Sequence, residues 1–241
     1  MRIINAFFIL ILGNFLFSES ILFKNASIYT GESKEMLNEY DLLIVDEKIS
    51  DIRRNITAQA DKVFNVEGKI ITSGFISPFT HLGLIEINQI AATRDDSSDL
   101  YSAGFSISQA FNPSSTLIPY NLNGGLTSAI SAPSGSGLFS GLGSAFSLSG
   151  NTDSLLSRDI ALYGSIEADG ESKAANLLLM EDTFELVRSF DSDSNEVQEY
   201  GLPDSVKYSR RDLEAIKRVL KKDIPMVLSI NRASDIITMI N

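Results

Sequence analysis

The chain opens with an apolar run over residues 3–17, led by Arg2 and followed by the small polar group Ser18-Glu19-Ser20. A basic start, a short apolar stretch and a small-residue end predict a secretory signal over residues 1–20. From Ile21 the pattern changes to short runs of strand formers between polar turns: Ile21-Leu22-Phe23, Ala26-Ser27-Ile28-Tyr29, Asp41-Leu42-Leu43-Ile44-Val45, Ile49-Ser50-Asp51-Ile52, Lys62-Val63-Phe64-Asn65-Val66 and Ile70-Ile71-Thr72. These predict a small, sandwich-like β domain over residues 21–72, whose short strands need a further layer to cover their apolar face. Later the period lengthens. Leu177, Met180, Phe184 and Val187 recur at helical spacing within residues 173–188, and Leu213, Ile216, Val219 and Leu220 do so in a helix ending near Lys222. Ser209-Arg210-Arg211-Asp212 has the S-x-x-D form of a helix cap. Strand-like runs at Ile160-Ala161-Leu162-Tyr163-Gly164 and around Met226-Val227-Leu228-Ser229 alternate with these helices, and a last helix starts at Arg232-Ala233-Ser234-Asp235-Ile236. Strand and helix in alternation predict an α/β architecture over residues 73–241.

Composition narrows the function classes. In 241 residues, 44% hydrophobic and 21% charged, there is ample material for a folded core. The net charge of −11 and the lack of a basic stripe argue against a nucleic-acid partner. Removing residues 1–20 deletes Arg2 and Glu19 and leaves that charge unchanged, and no second apolar segment long enough to span a membrane follows. The signal predicts export to the periplasm or beyond. With no cysteine, disulfides, thiolate metal sites and a cysteine nucleophile are excluded.

Val66-Glu67-Gly68-Lys69-Ile70-Ile71-Thr72-Ser73-Gly74-Phe75-Ile76, continued by Ser77-Pro78-Phe79-Thr80-His81, resembles the entry into the barrel of the amidohydrolase superfamily, in particular its imidazolonepropionase-like, metal-dependent hydrolases. The resemblance continues through Leu82-Gly83-Leu84-Ile85-Glu86-Ile87, Phe111-Asn112-Pro113, and Asn123-Gly124-Gly125-Leu126-Thr127-Ser128-Ala129, and covers about residues 40–240. It implies a β domain joined to a TIM-type βα barrel and hydrolysis of non-peptide C–N bonds by metal-activated water. The family continues its entry segment as D-x-H-x-H. Here Ser77 stands at the aspartate, Phe79 at the first histidine, and His81, the sole histidine of the chain, at the second. A later strand histidine of many relatives falls at or near Ser229. His81 is therefore the one candidate metal ligand that the resemblance carries over, and Zn or another divalent ion is the cofactor only if that site functions. Residues 73–241 fall short of the roughly 250 that a closed barrel takes, so a partial barrel is expected, either truncated or completed by a partner chain or oligomer.

Catalytic zinc normally has three protein ligands. Glu86, Glu167, Asp95 and Asp96 are the acids that could supplement His81, yet their spacing matches no ligand pattern. The glycine-rich stretch over residues 133–143 lacks the following helix and lysine of a phosphate loop and predicts an irregular connection to a short strand over residues 144–148. A Ser-His-Asp hydrolase based on His81 finds no G-x-S-x-G elbow, since Gly135-Ser136-Gly137 is too short. The acidic stretch over residues 190–199 reads as a solvated loop. The expectation is an amidohydrolase-related chain with impaired or absent hydrolysis. Its alternatives are an exported small-molecule-binding or interaction protein without activity, or a piece of a longer amidohydrolase.

Overall fold

The structure is a computed structural model that describes residues 19–135, 137–167, 170–190, 202 and 206–240. Most of the expected signal segment and nearly all of the acidic stretch at 190–199 lie outside the described residues. Ser20, the last residue of the expected leader, is the first residue of a strand. No helix among the described residues is long and apolar enough to cross a membrane. The chain divides into two compact units, Met1–Ser73 and Gly74–Asn241.

The first unit is a five-stranded sheet of β1 (Ser20–Tyr29), β2 (Leu37–Val45), β3 (Lys48–Arg53), β4 (Lys62–Asn65) and β5 (Ile70–Thr72), in the order β3-β2-β1 with β4 and β5 both parallel to β1. The two apolar runs at 21–23 and 26–29 form one strand, because Asn25 adopts a left-handed φ of 62° and bends the chain without ending the ladder. Asp41 is buried beneath that bend, where it accepts the Asn25 amide at 3.0 Å and the Ile56 amide at 2.8 Å. Asp46 and Glu47 both have positive φ, the geometry of a two-residue hairpin turn that matches the twist of β2 and β3.

The second unit is a half-barrel. Its sheet has the order β10-β9-β8-β7-β6, with β6 (Phe75–Thr80), β7 (Leu126–Ser131), β8 (Phe139–Ser147), β9 (Leu155–Ser165) and β10 (Met226–Ser229). β6 is parallel to β7, and β9 to β10, while β8 runs antiparallel between β7 and β9. The strand expected at 144–148 is the second half of this longer β8, so part of the glycine-rich stretch is sheet and not loop. Close packing is the reason: a Cβ on Gly143 would lie 2.4 Å from the Tyr163 ring, and one on Gly141 would lie 2.5 Å from the Phe105 carbonyl oxygen. Only a bare backbone fits between those neighbours.

Helices cover one face. α1 (Leu117–Asn123) leads into β7; α2 (Lys173–Ser189) and α3 (Arg210–Leu220) follow β9; α4 (Ala233–Ile240) follows β10. Met180 and Val187 of α2 and Leu213 and Ile216 of α3 are buried with Leu162 of β9, and Leu177, Phe184, Val219 and Leu220 pack around them. Each fully buried side chain of this kind contributes about 1.5–3 kcal/mol. The Ser209 cap is a full capping box, and its Asp212 also accepts the amides of Ser102 at 3.1 Å and Gly104 at 2.7 Å. One carboxylate thus starts α3 and ties down a loop more than a hundred residues earlier.

Candidate functional site

Successive side chains on a strand point to opposite faces. Leu162 therefore faces the helices, and Tyr163 faces the concave side of the half-barrel, where it packs with Ile130, Ala132 and Ala161. At the ends where β6, β7, β9 and β10 all finish, this concave side opens into a cleft of about 440 Å³. Its walls come from Phe79 on β6 and His81 just after it, Ser134 after β7, Tyr163 on β9, and Val227 and Ser229 on β10. In βα barrels the carboxyl ends of the strands are where catalytic side chains gather.

Phe79 and His81 are two residues apart, and both reach the cleft. The Phe79 ring stands edge-on to the His81 ring at 5.3 Å and lies 5.7 Å from that of Tyr163. His81 Nδ1 is 2.8 Å from the Ala132 carbonyl oxygen, which can only accept. Nδ1 therefore carries the proton, and in the neutral ring Nε2 is left with its lone pair. Burial pushes the Tyr163 hydroxyl above its ordinary value, so it is a neutral phenol at physiological pH. Ser134 is pinned from behind by Asp96, which accepts its hydroxyl and, through the main-chain carbonyl, its amide at 2.8 Å. Asp96 is fully buried and held bidentately by Arg94, at 3.1 Å from Nε and 2.9 Å from Nη2.

The structure thus brings Phe79, His81 and Ser229 into one cleft and places Asp96 one side chain behind it. The other candidates do not line it. Glu86 accepts Asn112 Nδ2 at 3.0 Å and Ser115 Oγ at 2.9 Å, bracing its own loop. Glu167 is bonded to Lys173 and Asn231, and Lys173 bridges to Asp235 at 3.0 Å. The Lys173 ammonium holds both carboxyls below their usual range. Asp95 is exposed. Sequence reasoning passed over Ser134 and Tyr163; Tyr163 had a signal, since strand alternation puts it on the face opposite Leu162.

A divalent ion does not fit this donor set. Among the described residues, no three histidine, cysteine, aspartate or glutamate side chains converge on a point, and the cleft offers one imidazole among hydroxyls and aromatic rings.

No family model matches the chain. It is similar to the 5-methylthioadenosine/S-adenosylhomocysteine deaminase of Thermococcus onnurineus, 39% identical over 62 residues, which are 26% of this chain and 14% of that protein. Against the enzyme of the same name from Thermococcus sibiricus it is 35% identical over 72 residues, 30% of this chain and 17% of that protein. Its fold matches the crystal structure of an amidohydrolase from Thermotoga maritima with a TM-score of 0.72 at 23% identity, over 91% of this chain and 60% of that one. The chain therefore shares the fold of an amidohydrolase over most of its length, while its sequence likeness to the deaminases is confined to a short segment. The cleft lies at the strand ends of this half-barrel, and the antiparallel β8 is a local departure from an all-parallel barrel. Because the matched segments are a small part of the deaminases, their activity belongs to them.

Proposed function

We propose that this protein is an amidohydrolase-type scaffold that binds a small molecule at its strand-end cleft and has lost metal-assisted hydrolysis of C–N bonds. The observation that carries this is Phe79 standing edge-on to His81, an aromatic ring where the superfamily resemblance puts the partner imidazole. Hydrolysis of an amide or cyclic amide needs a polarised carbonyl and an activated water, and phenylalanine supplies neither a lone pair nor a proton. What the cleft retains is binding chemistry: aromatic surface from Phe79 and Tyr163, the Nε2 acceptor of His81, and the hydroxyls of Ser134 and Ser229.

Elemental analysis of the purified protein, with His81→Ala as control, tests the proposal. Wild type and control should carry the same negligible zinc, iron, manganese and nickel. Near-stoichiometric metal in the wild type that disappears in the control would overturn it and restore the hydrolase. Export through residues 1–20 is part of the same proposal, supported by their charge and hydropathy pattern. So is a partner chain or oligomer completing the barrel, since β6 and β10 end the sheet with no further strand beside them among the described residues.

A further inference from the structure

At the opposite end of β9 from the cleft, the ladder with β8 is broken. Gly143 pairs with Ala161 and Ala145 with Ser157, so three residues of β9, at 158–160, face a single residue of β8. The extra residues form a bulge in which Asp159 adopts a left-handed φ of 51°, and bulges re-aim the side chains they carry. Arg158 leaves the ladder and lines a hollow of about 290 Å³ together with Arg211 from the first turn of α3, Tyr101, Ser106 and Ser108.

The charges in this hollow are unbalanced. Neither Arg158 nor Arg211 has a carboxylate partner among the described residues. Arg158 donates one Nη1 proton to Ser108 Oγ at 2.8 Å, which holds its guanidinium in place and leaves four N–H donors unused. The one acid of the lining, Asp159, accepts the Ser106 hydroxyl, and its main-chain carbonyl takes Arg218 Nη2 at 2.8 Å. Two cations against one occupied carboxylate leave the hollow net positive in a chain of net charge −11.

We infer that this hollow is a second ligand site, which takes an oxyanion, the phosphate or carboxylate group of a small molecule, between Arg158 and Arg211. Guanidinium forks match the paired oxygens of such groups and bind them through charge-assisted hydrogen bonds. Six residues of β9 lie between Arg158 and Ser165, a reach of at most about 23 Å, and the hollow and the strand-end cleft share no lining residue, so the two sites are distinct.

Titration calorimetry with inorganic phosphate, and separately with succinate, tests the site and tells the two oxyanion sources apart. The expected result is saturable millimolar binding of at least one anion, weakened about tenfold in each of Arg158→Ala and Arg211→Ala and partly regained in Arg211→Lys. Both side chains are exposed, and circular dichroism of each variant checks that it folds. Should Arg158→Ala not fold, Arg211→Ala alone decides the matter. No binding of either anion by the wild type, or equal binding by wild type and Arg211→Ala, would overturn the inference.

Discussion

The two faces of the half-barrel sheet are built to different standards. On the helix side Leu162, Val187, Leu213 and Ile216 have no exposed surface at all. On the concave side Phe79 is 55% exposed and Val227 41%, although both are apolar and sit among aromatic neighbours. The contrast teaches where free energy and function reside. The helix face holds the fold together, and the concave face leaves apolar and hydroxyl groups exposed at the strand ends, where the proposed binding cleft lies.

The largest expected effect tests that division. Leu213→Ala or Ile216→Ala should cost about 2–5 kcal/mol through lost burial and an unfilled cavity, and Phe79→Ala under about 1 kcal/mol, because half its surface is already wet. Urea unfolding measures both, and equal losses would break the comparison. Asp212→Ala comes next, at about 2–3 kcal/mol, because it removes the α3 cap and strands the amides of Ser102 and Gly104. On the concave side the exception is Gly143, where a methyl group would press on the Tyr163 ring. Gly143→Ala should cost about 1–3 kcal/mol and shift the near-ultraviolet signal of tyrosine. Phe79→His should leave stability nearly unchanged and create no metal-dependent amide hydrolysis, since one added imidazole still leaves the third ligand missing; measurable activity would contradict the binding assignment.

The smallest effect is one of pH. Lys173 lowers the carboxyls of Glu167 and Asp235 in the folded state. Their contribution is therefore complete above the unfolded carboxylate range, about pH 4, and is lost as pH falls through the lowered folded values. Lys173→Met should flatten the acid limb of a plot of melting temperature against pH and leave the neutral region nearly level.

Much of this was readable from local pattern. The strand runs of both units, the helical stripe of α2 and the Ser209-to-Asp212 cap rest on interactions within a few residues, and the structure shows them where periodicity puts them. The Phe79 and His81 pair was readable too, because spacing by two on a strand places both side chains on one side. β8 was not. Its glycines read as a loop because glycine's usual signal is conformational freedom, while here the residue is needed for close approach to Tyr163 and Phe105, both distant in sequence.

By itself the sequence determined the α/β class, the superfamily resemblance and the pairing of Phe79 with the sole histidine His81 at a spacing of two, since each follows from residue type and short-range spacing. Tertiary structure alone decided which carboxylates serve the fold: Asp41 under a strand bend, Asp96 behind Ser134, Asp212 across to Ser102 and Gly104. It also decided that Arg158 and Arg211 share a hollow. The physical reason is the same in each case. A charged side chain takes its role from the partners that folding brings within about 3 Å, and those partners come from anywhere in the chain.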